Sequence, residues 1–243
     1  MKFFILKHST DFKTVGPFPQ LEKMFDGFNM QRPYEAWGGY EYITPPMRHL
    51  NGFKLKRQSK VTDLVSAAQF GVDSMLISQR FFSLLQQHSC MDTMPVDSEV
   101  LQNDKSYPYK FVYFPKVQNH FVDFNRSRFY LNSSTGWSGD IKFDNFEQYE
   151  KTRQDLDKKN IEARSQGEYH KERNIRALEL FIDEAKANLD FFRIDRMMIA
   201  FVVSERLKSS IESQGLTGMQ FIPAQGHVMP TMYASVNPPR EIT

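Results

Sequence analysis

A single cysteine, Cys90, stands among the 243 residues, so no disulfide can close within the chain and no zinc site can be built from thiolates. That scarcity suits a reducing compartment. Long hydrophobic runs are missing too. No window approaches the roughly 18 apolar residues of a membrane span. The opening Met1-Lys-Phe-Phe-Ile-Leu-Lys7 offers four consecutive apolar residues, too few for the roughly 7–15 of a signal-peptide core. Without an export signal, the glycosylation patterns at Asn125-Arg-Ser127 and Asn132-Ser-Ser134 read as chance. The net charge is only +2, from 31 basic and 29 acidic residues, so no global field recruits nucleic acid or an anionic membrane, and partner choice has to come from local surface. These absences together predict a cytoplasmic protein.

The motifs that carry common chemistries are also lacking. The histidines are His8, His49, His88, His120, His170 and His227, and no two lie at helical ligand spacing, which argues against a metal site. Neither a Gly-x-x-x-x-Gly-Lys nor a Gly-x-Gly-x-x-Gly phosphate cradle occurs, and no cofactor is indicated. Gly136-Trp-Ser-Gly139 lacks the Gly-x-Ser-x-Gly spacing of a nucleophile elbow and reads as a turn. Cys90 closes a predicted helix where small apolar residues pack, so a buried structural thiol is a better reading than a nucleophile. Arg126-Ser-Arg128-Phe-Tyr is too short a basic run for a nucleic-acid reader. Asp123, Asp140 and Asp144 fall in a β-rich centre and offer carboxylates for acid/base work or a cation, with a spacing equally suited to turns.

What is abundant is aromatic. With 22 Phe, 10 Tyr and 2 Trp, and 40% hydrophobic residues overall, the chain has the material for a strand-bearing core rather than a Leu/Ala-rich bundle. Phe3–Leu6 reads as a first strand. Gly-Pro punctuation then leaves residues 9–52 irregular, with at most a short helical turn near Leu21–Phe25. Trp37, Tyr40 and Tyr42 surround a glycine pair there and either anchor a partner or tie a long loop to the core. Phe53–Leu55, Tyr109–Phe114 and the stretch Phe121–Leu131 read as strands. Asn132–Gly139 reads as a Ser/Gly turn carrying Trp137. From Glu147 charged residues dominate until Ile175, Leu178, Leu180 and Phe181, which predicts an exposed helix, broken near Gly167 and docked in its second half. An extended tail or edge strand follows Gly226.

The stretch from Arg193 to Ala224 organises the rest. Ile199–Val203 reads as a strand, Ser204 as an N-cap, Leu207 and Ile211 as one face of a helix, Gly215 as its stop, and Met219–Ile222 as a strand halted by Pro223. Shifting Ser204 onto Ser78 puts Arg206 on Arg80, Leu207 on Phe81 and Ile211 on Leu85. With a two-residue gap, Pro223 then falls on Pro95. A duplicated strand-helix-turn-strand unit is one reading; two unrelated helices that each follow a serine is the other. The expected fold is α+β: a mixed or mainly antiparallel sheet flanked by helices in one domain, 1–243, with 1–52 an irregular N-terminal subdomain and 53–243 the core.

Leu-Ile-Ser-x-Arg in the first unit, Val122-Asp-Phe-x-x-Ser127, and the closing Val-Val-Ser-Glu-Arg-Leu-Lys with Gly-Leu-Thr-Gly-Met-Gln-Phe resemble a family of bacterial immunity proteins from polymorphic toxin systems. The match covers roughly residues 55–225. The resemblance implies an α+β protein that is not an enzyme, and that neutralises a cognate toxin, encoded by an adjacent gene and delivered by a route such as type VI secretion, through stoichiometric protein–protein contact. It implies neither nucleic acid nor membrane as a partner. The residues set against the toxin are Trp37, Tyr40, Tyr42 and Trp137, with an acidic patch of Asp140, Asp144, Glu147 and Glu150 facing a basic toxin surface. The alternatives are an enzyme working through Asp123, Asp140 and Asp144, and a secretion-system adaptor.

Overall fold

The computed structural model describes residues 1–24, 52–66, 73–133, 136–195 and 197–228. The fold is α+β with mostly antiparallel sheets. Two compact units share the chain: residues 1–118, 188–193 and 200–222 make the first, and 119–187, 194–199 and 223–243 the second.

The first unit holds two sheets. One has the order β4-β5-β7-β6 at its core, with β5 Ser74–Ser78, β7 Lys105–Tyr113, β6 Met94–Gln102 and the two-residue β4 Leu64–Val65, and it extends beyond β6 through β3 Phe53–Leu55 and β2 Leu21–Met24. The other runs β11-β12-β1-β13: Phe191–Ile194, Ala200–Ser204, Phe3–His8 and Met219–Pro223. Residues 21–24, where a helical turn is expected, form a strand because Leu21 is buried against Phe53 and Leu55. Asn103 and Asp104 both take positive φ, 48° and 62°, between Gln102 and Lys105, the twist that a two-residue hairpin needs.

These two sheets are copies of one arrangement. In the first, β5 leads into helix α2 Gln79–Leu85, which crosses to β6, and β7 fills the gap between β5 and β6. In the second, β12 leads into helix α4 Glu205–Ser213, which crosses to β13, and β1 fills the gap. The registers agree residue for residue. Ser78, Ile77, Leu76 and Met75 pair with Tyr109, Lys110, Phe111 and Val112, while Ser204, Val203, Val202 and Phe201 pair with Phe3, Phe4, Ile5 and Leu6. The repeated arrangement suggested by Ser-x-Arg is therefore present in the strand order, with β1 doing for the second copy what β7 does for the first, but the matching of Pro223 to Pro95 is corrected: Pro95 is the second residue of β6, whereas Pro223 is the last of β13.

The second unit is a sheet in the order β14-β10-β8-β9, with β8 Arg128–Ser133, β9 Gly136–Ile141, β10 Arg173–Leu180 and the short β14 His227–Val228. Helix α3, Phe146–Ser165, lies against it. Three expectations are corrected here. Trp137 lies in strand β9, opposite Asn132, rather than in a turn; its side chain is outside the described residues. Ile175, Leu178 and Leu180 belong to β10, not to a helix, because buried Ile175 and Ala177 alternate with half-exposed Arg176 and Leu178 at the strand period. The helix ends at Ser165 and the chain turns at Gly167 with φ +74°, close to the predicted break. The docking of α3 is at both ends, not only the second half. Tyr149 enters a cluster with Phe124, Phe129, Phe143 and Phe146, and Asn160 clasps the backbone of Arg173 through both amide atoms at 2.8 Å.

Gly218 shows how tightly the first unit is closed. Its φ is +94°, and a Cβ there would meet the Leu64 carbonyl oxygen at 2.2 Å and the Thr62 side chain at 2.7 Å. Gly215 also has positive φ, +62°, but faces open space. Gly218→Ala is expected to cost roughly 2–4 kcal/mol in urea unfolding, against about 1 kcal/mol for Gly215→Ala; equal losses would show that the close approach does not matter.

Candidate functional site

The polar groups of the first unit converge on two aspartates. Ser78 and Ser204 cap α2 and α4, their hydroxyls accepting the N–H groups of Phe81 and Leu207 at 3.1 Å each, as a serine before a helix should. Each hydroxyl then donates at 2.6 Å, Ser78 to Asp63 and Ser204 to Asp190. The second carboxylate oxygen reaches across to the other copy. Asp63 accepts the Thr217 N–H that follows α4 at 2.8 Å, and Asp190 accepts the Ser89 N–H that follows α2 at 3.0 Å. Each copy's aspartate thus starts its own helix and fixes the exit of its twin's.

The copies differ in what else they carry. Arg206 sets its guanidinium on both oxygens of Asp190, with Nε at 3.1 Å, and His88 Nδ1 lies 3.5 Å from the same carboxylate, whose side chain is 1% exposed. Arg80, the residue matching Arg206, instead donates to the Gln214 carbonyl at 2.8 Å, at the end of α4. Burial works to raise the Asp190 pKa, but hydrogen bonds from Arg206, Ser204 and the Ser89 amide, with the charge of Arg206, outweigh it and hold the carboxyl at about 2. Cys90 donates to the Leu85 carbonyl at 3.2 Å. Burial, reinforced by the charge of Asp190, pushes its thiol up to about 12, so at neutral pH it holds its proton and is a poor nucleophile.

The candidate acidic residues of the second unit lie on β9, before α3 and in its first turns. Asp140 is exposed on β9 opposite Tyr130, Asp144 is exposed before α3, and Glu147 is exposed in its first turn. Glu150 is tied to Arg153, whose hydrogen bonds lower its pKa. Arg153 also reaches Asp157 at 2.6 Å. Helix α3 as a whole is balanced, its acids Glu147, Glu150, Asp155, Asp157 and Glu162 matched in number by Lys151, Arg153, Lys158, Lys159 and Arg164. Asp123 holds a turn through the Arg126 N–H at 3.2 Å, whereas Asp144 meets α3 through its backbone N–H, which donates to Gln148 at 2.7 Å. Trp37, Tyr40 and Tyr42 lie outside the described residues. Sequence reasoning found both serine caps but missed Asp63 and Asp190; the available signal was an aspartate standing one strand ahead of each Ser-x-Arg. Among the described residues, no group of three or more His, Cys, Asp or Glu is arranged for a metal ion, and no helix is long and apolar enough to cross a membrane.

Two tests follow from these groups. Replacing Asp190 by Ala strands the Ser89 amide, the Ser204 hydroxyl and the Arg206 charge, and is expected to cost about 3 kcal/mol in urea unfolding; a loss below about 1 kcal/mol would deny it the role of a clasp. His8, at the end of β1, is lowered to about 4 by burial. The folded state therefore binds fewer protons than the unfolded one between pH 4 and 6.5. Stability is full above about pH 6.5 and falls as pH drops towards 4, by at most about 3 kcal/mol. His8→Gln flattens that slope if His8 is its source.

No family model matches the chain, and no curated protein matches it.

Proposed function

We propose that this chain is an immunity protein that binds a cognate toxin domain acting in the cytoplasm and blocks it by stoichiometric contact. The observation that carries the reading is the closing motif, Val-Val-Ser-Glu-Arg-Leu-Lys with Gly-Leu-Thr-Gly-Met-Gln-Phe. Its polar and glycine positions serve the backbone. Ser204 caps α4 and bonds Asp190, Arg206 neutralises Asp190, Gly215 turns the chain out of α4, Thr217 bonds Asp63, and Gly218 lets the chain pass Leu64. A signature of this kind maintains a scaffold while the surfaces that it supports do the recognising.

The toxin-facing surface that best fits this reading is the corner formed by β9 and the start of α3. Asp140, Asp144 and Glu147 are exposed there within a short length of chain, and such a corner complements a basic toxin such as a nuclease. Glu150, held by Arg153, supports the corner more than it extends it. A toxin of this class would attack nucleic acid or a nucleotide pool.

Co-expression with the toxin encoded by the adjacent gene is expected to restore growth, and the two proteins to co-elute on size-exclusion chromatography. Absence of both effects rejects the reading. Asp140→Lys combined with Glu147→Lys is expected to weaken the complex by roughly tenfold or more, mostly through slower association, without moving the melting temperature. Unchanged affinity would move the toxin to another surface.

A further inference from the structure

In the first unit, the turn after β1 is joined to the turn after β3. The Lys60 N–H donates to the Val15 carbonyl at 3.0 Å and the Lys56 N–H to the Gln20 carbonyl at 2.9 Å. The buried Gln20 side chain donates back to the Lys60 carbonyl at 2.8 Å and to Thr62 Oγ1 at 3.0 Å. Gly16, at φ +75°, allows the approach, since a Cβ there would meet the Gln58 carbonyl oxygen at 2.4 Å. The two turns form one built surface, joined by backbone and buried amide groups.

That surface presents an unusual pair. Phe12 on helix α1 (Phe12–Val15) is 64% exposed and Phe18 is 51% exposed, the two exposed phenylalanines among the described residues. Lys13, Arg57 and Lys60 are exposed beside them and Lys56 is half-buried. The local acid is Asp11, which accepts from the Lys13 N–H at 3.1 Å and the Thr14 hydroxyl at 2.6 Å, while Lys54 and Glu22 neutralise each other at 3.3 Å. The Lys60 ammonium ties this surface together by donating to the Lys13 carbonyl, but two rings in water and a local excess of cations over the one carboxylate match a polyanion with an apolar interior.

Three partners have that description in some measure. Single-stranded nucleic acid is bound along a basic groove that stacks successive bases on aromatic rings, whereas these rings sit on the outside of a turn pair. An acidic protein surface needs about 800 Å² per side and favours Arg over Lys at its centre, whereas three of these four cations are lysines. An anionic bilayer asks for rings that enter the interface and point charges that sit over phosphates. We propose that this patch docks the protein peripherally on an anionic lipid surface, with Phe12 and Phe18 entering the interface and Lys13, Lys56, Arg57 and Lys60 over the headgroups. The proposal goes beyond the immunity reading and stands or falls separately from it.

The test is co-sedimentation of the full chain with vesicles of phosphatidylcholine alone, or of phosphatidylcholine mixed with phosphatidylglycerol. Binding is expected only to the anionic vesicles, and is expected to be lost at about 0.5 M salt. Arg57→Gln with Lys13→Gln should lower the partition coefficient roughly 10- to 30-fold, and Phe12→Ser with Phe18→Ser should lower it comparably. Melting temperatures should stay unchanged, because none of these side chains is buried. Three results overturn the proposal: no binding to anionic vesicles, equal binding by the variants, or capture of a labelled single-stranded RNA through the same cations in place of vesicles. A toxin complex that survives the Phe12/Phe18 substitutions while vesicle binding fails supports it; a toxin complex that requires those rings reassigns the patch to protein contact.

Discussion

The first unit depends on a reciprocal pair of carboxylate contacts. An α-helix leaves backbone N–H groups without partners at its start, and a buried chain leaving a helix has amides to satisfy as well. Asp63 and Asp190 answer both needs, each bonding a cap serine in its own copy and an exit amide in the other. Neither copy's helix is correctly begun and ended without a residue from its twin. Such a device explains why two modest four-stranded arrangements behave as a single unit, and why the serine of each Ser-x-Arg is buried or nearly so despite being polar.

The two copies are equal in backbone and unequal in chemistry. Asp63 manages with hydroxyl and amide donors, so the extra guanidinium and imidazole near Asp190 are not requirements of the architecture. Their effect is electrostatic. Asp190 is the more deeply enclosed carboxylate with a counter-charge, and Arg206, being 63% exposed, keeps that charge paired without itself being desolvated. A buried acid with a wet cation is a cheaper arrangement than a fully buried pair.

Local signals survived translation into structure best. The serine caps, the strands at Phe3, Phe53, Tyr109 and Met219, and the break near Gly167 were all legible, because each is decided by a few adjacent residues. The β10 strand was hidden by composition: charged neighbours masked the two-residue alternation around Ile175 and Ala177. The aspartate clasp was invisible for a different reason, since Asp63 and Thr217 lie 154 positions apart and nothing in either neighbourhood announces the other. The exposed corner of Asp140, Asp144 and Glu147 was readable as acidic, but that Glu150 would turn inward to Arg153 depended on the helix face it occupies. Surface recognition leaves little trace in one sequence, whereas caps and turns leave much.

The position of β1 has a consequence for how the chain is made. Phe3–His8 is an inner strand of a sheet whose other members, Phe191–Ile194, Ala200–Ser204 and Met219–Pro223, are synthesised long after it. Until they leave the ribosome, an apolar strand with both hydrogen-bonding edges unsatisfied must wait, during which the neighbouring β4-β5-β7-β6 arrangement already has all its parts. A nascent chain of this design is open to strand capture by other chains until those strands emerge, and its slowest step should be the return of Phe191–Ile194, Ala200–Ser204 and Met219–Pro223 to Phe3–His8, a closure of very high contact order.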